Sequence, residues 1–172
     1  MLIPHGARAL RFATAVVLAL GATACAKNAA DDASIAGAAG GGYGRGGAAT
    51  PGSQQDFVVN VGDRVFFESD STELSSTAQA TLDKQARWLQ QYGRYSFTIE
   101  GHADERGTRE YNFALGARRA EVTKEYLAAK GISASRIKTI SYGKERPVAV
   151  CNDISCWSQN RRAVTVLSGG QS

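Results

Sequence analysis

Residues 101–122 have the sequence GHADERGTREYNFALGARRAEV, which joins the end of a strand, a charged loop and the start of a helix. Along residues 95–102 apolar and polar side chains alternate, as in a strand with one buried face. Thr108 is a favourable N-cap, so a helix is predicted from about Thr108 to Lys130, where Gly131 ends it. The charged loop therefore follows a strand, a position at which loops commonly hold ligands.

One arginine of this helix falls within an apolar stripe. The members of the stripe, spaced at i, i+4, i+7 and i+11, are Leu115, Arg119, Val122 and Tyr126. A buried guanidinium needs partners because an unpaired buried charge is very costly, and Asp104 in the preceding loop is the carboxylate expected nearby. Such a pair is either a structural ion pair or part of a binding site. Arg118 points elsewhere and is predicted to form a surface ion pair with Glu121.

Four further segments complete the secondary-structure pattern. They are a β-rich region with a Gly-Asp turn signal at 56–67, a helix over 77–92, and strands at 136–143 and 161–168. Ser75 or Ser76 can cap the helix, which carries apolar residues at helical spacing. The order β-α-β-α-β-β predicts an α/β (α+β) two-layer sandwich, with a mixed sheet and helices on one face.

The N-terminus is typical of an exported protein. Residues 1–24 combine a basic start, a short apolar run and small residues before a cysteine, which is the pattern of a signal peptide. The sequence ATAC at 22–25 looks like a bacterial lipobox, although Ala22 stands where an aliphatic residue is usual. Acylation of Cys25 would anchor the chain in the outer membrane. The alternatives are a buried apolar helix and a secreted chain cleaved after Ala24 without lipid.

Composition changes sharply after the cysteine. Residues 25–55 are rich in glycine and alanine and offer little apolar surface to bury, so a flexible tether is predicted there. A domain of ordinary size is predicted over 56–168, and 169–172 form a C-terminal tail. The formal net charge is +4, and residues 1–24 hold two arginines and no acidic residue. The remainder is nearly neutral and has no basic stripe, which disfavours nucleic-acid binding.

Two cysteines lie close together near the C-terminus. In an exported protein, the spacing of Cys151 and Cys156 favours a small-loop disulfide, with free thiols or metal binding as alternatives. A metal site would need more ligands, and His102 is the only histidine after the leader. No metal or cofactor is expected.

Three motifs together resemble the OmpA-like peptidoglycan-binding domain family. They are the opening stretch, YGKERP at 142–147 and NRRAV at 160–164, and the resemblance covers roughly residues 60–167. It implies non-covalent binding of the peptidoglycan stem peptide, chiefly its meso-diaminopimelate residue. By motif position, Asp104 would receive the ammonium of that residue and Arg119 its carboxylate.

The same resemblance extends the candidate site. Asp70 falls where the family carries an aspartate facing the pocket, although the surrounding loop departs from the common pattern. Thr108 marks backbone N–H groups at the helix start, and Asn112 offers a donor and an acceptor. Arg106 is either a contact to peptide carboxylates or an exposed charge without a role.

Binding is favoured over catalysis. A hydrolase would have to use His102 as its base beside Asp104, and neither a G-x-S-x-G motif nor a suitably paired cysteine accompanies them. The resemblance implies partners instead, namely peptidoglycan and the proteins TolB and TolA. A module acting through protein partners alone is the other alternative. The implied role is to connect the outer membrane to the wall from the periplasm, supporting envelope integrity and constriction during division.

Overall fold

The computed structural model describes residues 49–169. The predicted signal peptide, Cys25, most of the predicted tether and the end of the C-terminal tail lie outside these residues. Among the residues described, no helix is both long and apolar enough to cross a membrane.

Four helices and four strands alternate along the described chain. In chain order they are α1 (Gln54–Asp56), a π-helical turn (Phe57–Val61), β1 (Arg64–Phe66), α2 (Ser76–Gln91), β2 (Ser96–His102), α3 (Arg109–Ala129), a 3-10 turn (Ala134–Arg136), β3 (Ile137–Gly143), α4 (Ile154–Asn160) and β4 (Arg162–Ser168). The sheet order is β1-β4-β2-β3. Only β2 and β3 are parallel, whereas β4 pairs antiparallel with both β1 and β2. The predicted α+β architecture with a mixed sheet is confirmed.

The long helices α2 and α3 cover one face of this sheet. The buried core combines inward-facing strand residues with one stripe from each helix; among its members are Val65, Leu82, Leu89, Phe97, Ile99, Ala120, Leu127 and Ala163. Side chains on the opposite sheet face are much more exposed, including Phe66, Ile140 and Val166. The predicted two-layer arrangement therefore describes the folded domain.

Both long helices begin at the predicted caps. The Ser75 hydroxyl accepts a hydrogen bond from the backbone N–H of Ala78 at 3.2 Å. The Thr108 hydroxyl accepts one from the backbone N–H of Tyr111, also at 3.2 Å. Each cap satisfies a donor that the first helical turn would otherwise leave unpaired.

The prediction of a β-rich segment over 56–67 is wrong in its first half. Phe57–Val61 is a π-helical turn, and strand β1 begins only at Arg64. Tertiary contacts override the β propensity of this segment, because the Phe57 ring is fully buried 4.9 Å from the ring of Trp88. The Trp88 indole also donates to the Asp56 carboxylate at 2.8 Å, which fixes the preceding turn.

The folded region begins before residue 56, so the last residues of the predicted tether belong to the domain. Gly52 is buried, and its carbonyl accepts hydrogen bonds from the hydroxyl of Tyr95 at 2.8 Å and from the guanidinium of Arg94 at 2.7 Å. Its N–H donates to the Asp56 carboxylate at 2.8 Å. These contacts tie the entry of the chain to the end of α2 and the start of β2.

A short helix absent from the predicted order lies between the last two strands. Helix α4 is capped by Asp153, whose carboxylate accepts from the backbone N–H of Ser155 at 2.8 Å. The predicted disulfide joins Cys151 to Cys156, with 5.7 Å between their Cα atoms. The bridge links the approach to α4 with the helix itself, and so restricts the orientation of this short element.

Two glycines allow α3 to lie directly on the sheet. A Cβ added to Gly101 in β2 would be 1.8 Å from the carbonyl oxygen of Gly116 in α3. A Cβ on Gly116 would be 2.5 Å from the Ser141 hydroxyl of β3 and 2.8 Å from the Gly101 carbonyl oxygen. Backbone therefore packs on backbone at this crossing, and no side chain can be accommodated.

We expect Gly101→Ala to lower the free energy of unfolding by about 3 kcal/mol, because the helix must move away from the sheet to admit a methyl group. Gly93→Ala is the matched control, since a Cβ at that position meets nothing within 4 Å. Urea denaturation followed by circular dichroism measures both changes. Equal midpoints for the two variants would contradict the close packing described here.

His102, at the end of β2, is buried beside the open face of the sheet. It is 2 % exposed, and neither ring nitrogen has a hydrogen-bond partner among the described residues. Burial, followed by the positive charges of Arg162, Arg146 and Arg64, lowers the pKa of His102 to about 4. The imidazole is therefore neutral at physiological pH.

The free energy of unfolding should fall as the pH decreases from about 6.5 to about 4. In that window the unfolded chain binds a proton at His102 that the folded chain does not, which costs up to about 3 kcal/mol. Urea denaturation across this range should show a flatter slope for His102→Gln than for the parent. An NMR titration midpoint near 6.5 for His102 would disprove the expectation.

Candidate functional site

A pocket of about 240 Å³ opens where the loop after β1, the loop after β2 and the first turns of α3 meet. Its lining consists of Ser69, Asp70, Asp104, Arg106, Gly107, Tyr111, Asn112 and Leu115. Four of the six predicted binding residues are among them, namely Asp70, Asp104, Arg106 and Asn112. Thr108 and Arg119 are not part of the lining: Thr108 is exposed at the start of α3, and Arg119 is fully buried.

Asp104 is the buried anion of this pocket. Its carboxylate accepts hydrogen bonds from the Arg106 side chain at 2.7 and 3.1 Å and from the Arg106 backbone N–H at 3.2 Å. Arg161 approaches the same carboxylate at 3.5 Å. Burial acts to raise the pKa of Asp104, but the hydrogen bonds and the charge of Arg106, together with the hydrogen bond from Arg161, hold that pKa below its usual range. Asp104 is thus ionised at neutral pH.

The predicted direct pair between Asp104 and Arg119 does not form. Arg119 is fully buried, as its place in the apolar stripe of α3 predicted. Its guanidinium instead donates to three backbone carbonyls, those of Ser71 at 2.9 Å, His102 at 2.9 Å and Glu68 at 3.1 Å. Backbone carbonyls satisfy the donors without a neighbouring carboxylate, so Arg119 joins α3 to both loops of the pocket.

The loop that carries Asp70 is shaped by these bonds and by a strained residue. Asp70 has a positive φ of 57°, which is uncommon for a residue with a Cβ but tolerated by aspartate. Its carboxylate accepts a hydrogen bond from the Tyr111 hydroxyl of α3. The exposed Asp70 side chain is thereby directed across the pocket mouth toward α3.

Asn112 and Thr108 organise the other wall. The Asn112 side-chain amide donates to the Arg106 carbonyl at 2.7 Å and to the Thr108 carbonyl at 3.1 Å, which holds the loop against the first turn of α3. Lys144, in the turn after β3, supports the same loop by donating to the Gly107 carbonyl at 2.6 Å. The loop conformation is therefore determined before any ligand arrives.

Sequence reasoning missed Arg161 as a site residue. Arg161 is buried, donates to the Phe67 carbonyl at 2.9 Å and lies 3.5 Å from the Asp104 carboxylate. Burial and then the charge of Arg161 lower the pKa of Arg119 to about 10, an effect that Asp104 opposes. The sequence NRRAV held only a partial signal, because strand alternation predicts that one of two adjacent arginines is buried, whereas in the fold Arg161 and Arg162 are both buried.

Trp157 is the second residue that the sequence did not reveal. Its ring lies 4.2 Å from the Arg106 guanidinium carbon, and its indole N–H donates to the Glu105 carboxylate. No pattern in the sequence predicted α4, the short helix that carries it. Trp157 therefore contacts Arg106 and Glu105 because the segment between β3 and β4 folds back toward the pocket.

The remaining charges of the stretch form different pairs from those predicted. Glu121 pairs with Lys124 at 2.8 Å rather than with Arg118, because i, i+3 neighbours compete for one carboxylate. Arg109 pairs with Glu145 at 3.1 Å, in the lining of a larger cleft of about 540 Å³ on the other side of the α3 N-terminus. His102 does not line the 240 Å³ pocket. Among the described residues, no three His, Cys, Asp or Glu side chains are grouped as metal ligands.

Comparison with known proteins shows relatives that are similar in sequence and in fold. A model described as "OmpA family" matches residues 66–161. The peptidoglycan-associated lipoprotein of Rhizobium meliloti is 64 % identical over 160 residues, which are 93 % of this chain and 88 % of the relative. That of Agrobacterium fabrum is 70 % identical over 128 residues, covering 74 % of this chain and 72 % of the relative.

A solved structure supports the same grouping. The crystal structure of the peptidoglycan-associated lipoprotein from Burkholderia pseudomallei superposes with a TM-score of 0.60 at 40 % identity, covering 62 % of this chain and 90 % of that one. The chain therefore belongs to the OmpA family and, within it, to the peptidoglycan-associated lipoproteins.

Proposed function

We propose that this protein binds peptidoglycan non-covalently through the pocket around Asp104. The observation that carries the proposal is a buried, ionised carboxylate at the base of an opening, with the exposed guanidinium of Arg106 beside it. Opposite charges at hydrogen-bonding distance from one another suit a ligand that is itself a zwitterion. The names of the relatives point to the same polymer.

The ligand group that fits best is the end of the meso-diaminopimelate side chain in the stem peptide. It carries an ammonium, which suits Asp104, and a carboxylate, which suits an arginine fork. Asp70 and Asn112 face the same volume and offer further polar contacts. Thr108 contributes through the helix start that it caps, and Arg119 by fixing the loops on either side.

Binding explains the site better than hydrolysis does. His102, the one histidine that could act as a base after the leader, is buried and does not line the pocket. The pocket residues are held in a hydrogen-bonded arrangement suited to recognition of charge. We therefore assign the protein a non-catalytic role.

The cellular role that we propose is anchoring. A lipid on Cys25 would hold the chain in the outer membrane, and the domain in the periplasm would hold the wall. We further propose that the protein acts within the Tol-Pal system, with TolB as its first protein partner and TolA as its second, supporting envelope integrity and constriction during division. The relatives carry the name peptidoglycan-associated lipoprotein, which supports the lipid anchor and the contact with the wall.

Asp104→Asn should reduce co-sedimentation with purified diaminopimelate-containing sacculi by about tenfold or more, because a charge-assisted contact is lost. Asp70→Asn should give a smaller loss, because Asp70 lies at the exposed mouth of the pocket. The amount of protein in the pellet at a series of sacculus concentrations measures both.

Asp83→Asn is the matched control for these variants. It makes the same chemical change on α2, where Asp83 pairs with Lys130 away from the pocket. Circular dichroism melting curves verify that each variant is folded. If folded Asp104→Asn pellets as well as Asp83→Asn does, the assignment of the pocket fails.

Mass spectrometry of the membrane-extracted protein should give an N-terminal peptide that begins at Cys25 and carries acyl groups. Cys25→Ser should remove the added mass and release the protein from the membrane fraction, because the hydrophobic contribution of the chains is lost. An unmodified peptide that begins after Ala24 would show instead that the protein is secreted without lipid.

A further inference from the structure

The carboxylate proposed to receive the ligand's ammonium already has a cation bound to it. The Arg106 guanidinium donates to both Asp104 oxygens, at 2.7 and 3.1 Å. The two partners differ in accessibility, since the Arg106 side chain is 43 % exposed and that of Asp104 is 8 % exposed. Arg106 is therefore the partner that can move, whereas Asp104 is fixed within the domain.

A platform holds Arg106 in this position. Its guanidinium carbon lies 4.2 Å from the Trp157 ring, and one of its nitrogens donates to the Ser69 hydroxyl at 2.8 Å. Trp157 is held in turn by its own hydrogen bond to Glu105, and α4 is bound by the disulfide at Cys156. A guanidinium that stacks on an indole can slide across the ring and keep much of the attraction.

Among the described residues, the two other guanidinium groups near this pocket are buried and bonded to backbone carbonyls. Arg106 is the only cationic residue among those that line it. Arg119 is 0 % exposed, with its donors bound to three backbone carbonyls. Arg161 is 4 % exposed and donates to the Phe67 carbonyl. A carboxylate brought by a ligand therefore meets Arg106 first.

We infer that Arg106 exchanges partners when ligand binds, releasing Asp104 to the ligand's ammonium and taking the ligand's carboxylate while it remains stacked on Trp157. This inference rests on the proposed function and adds to it a residue that determines specificity. Two ion pairs replace one, so Asp104 and Arg106 each have a partner of opposite charge both before and after the exchange. In the resting site Arg106 acts as an internal substitute for the ligand's ammonium.

The exchange discriminates between two kinds of side chain. A lysine ammonium can compete for Asp104, but it leaves Arg106 without an anionic partner at the pocket. A side chain that ends in both an ammonium and a carboxylate pairs with both residues. Arg106 and Trp157 therefore make the pocket selective for the zwitterion, because a lone cation displaces Arg106 without compensation.

The test compares two synthetic stem tripeptides, one with meso-diaminopimelate and one with lysine at the third position. Isothermal titration calorimetry measures their dissociation constants with the mature chain and with Arg106→Gln. Selectivity is the dissociation constant of the lysine peptide divided by that of the diaminopimelate peptide. This ratio should fall by about fivefold or more in Arg106→Gln, because the diaminopimelate peptide loses an ion pair and the lysine peptide no longer competes with Arg106 for Asp104. Arg106→Lys, which keeps the charge but not the fork, should give an intermediate ratio.

Arg109→Gln is the matched control, since Arg109 is an exposed arginine of the same stretch that pairs with Glu145 outside this pocket. Its ratio should equal that of the parent. The indole N–H resonances provide a second readout: diaminopimelate peptide should shift that of Trp157 and leave that of Trp88, which is bonded to Asp56, unchanged. Trp157→Phe assigns the two signals.

The outcomes separate the two proposals. If the parent prefers the diaminopimelate peptide and Arg106→Gln keeps the full preference, the partner exchange is disproved while the proposed function stands. If a folded Arg106→Gln binds both peptides more weakly by the same factor, the partner exchange is also disproved, and Arg106 has a structural role. If the parent binds neither peptide, both proposals fail.

Discussion

The buried guanidinium of Arg119 is the interaction on which the pocket depends. Its three hydrogen bonds reach the loop after β1 twice and the end of β2 once, from a position in the middle of α3. A buried cation is tolerated only when its donors are satisfied. Arg119 therefore depends on the positions of these carbonyls, and the two segments that carry them are positioned by Arg119. Asp70 and Asp104, which lie far apart in sequence, face a common volume because of this constraint. Arg119, which the family resemblance implies as a ligand contact, thus also supports the shape of the pocket.

The close contact of Gly101 with Gly116 supplies the second constraint. It brings the backbone of α3 onto β2, so that the N-terminal half of the helix passes directly over the strand end that leads to Asp104. Because no side chain separates the two elements, the distance between the helix start and the loop is set by backbone geometry alone. A short side chain of α3 can therefore bond directly to the loop. Asn112, for example, donates to the backbone carbonyls of Arg106 and Thr108.

The sequence predicted the mixed sheet, both long helices and their caps, because periodicity and capping are local properties. It also predicted that Arg119 is buried, from the stripe in which it lies. It could not predict which acceptors would satisfy that arginine, since backbone carbonyls leave no signature in a sequence. The helical turn at Phe57–Val61 was missed because burial against Trp88 overrides local β propensity. Trp157 was missed because a seven-residue helix in a connection carries too little periodicity to recognise.

The strand order determines when the sheet can form during synthesis of the chain. Strand β4 is the last element of the described chain, yet it lies inside the sheet and pairs with both β1 and β2. Until β4 emerges, β1 has no partner strand in this sheet, and one edge of β2 remains open. The four-stranded sheet therefore cannot be completed while the residues of β4 are still being synthesised. A chain of this topology lacks its completed sheet until β4 has been made, and an incompletely folded polypeptide is the state in which a chain can be threaded across a membrane.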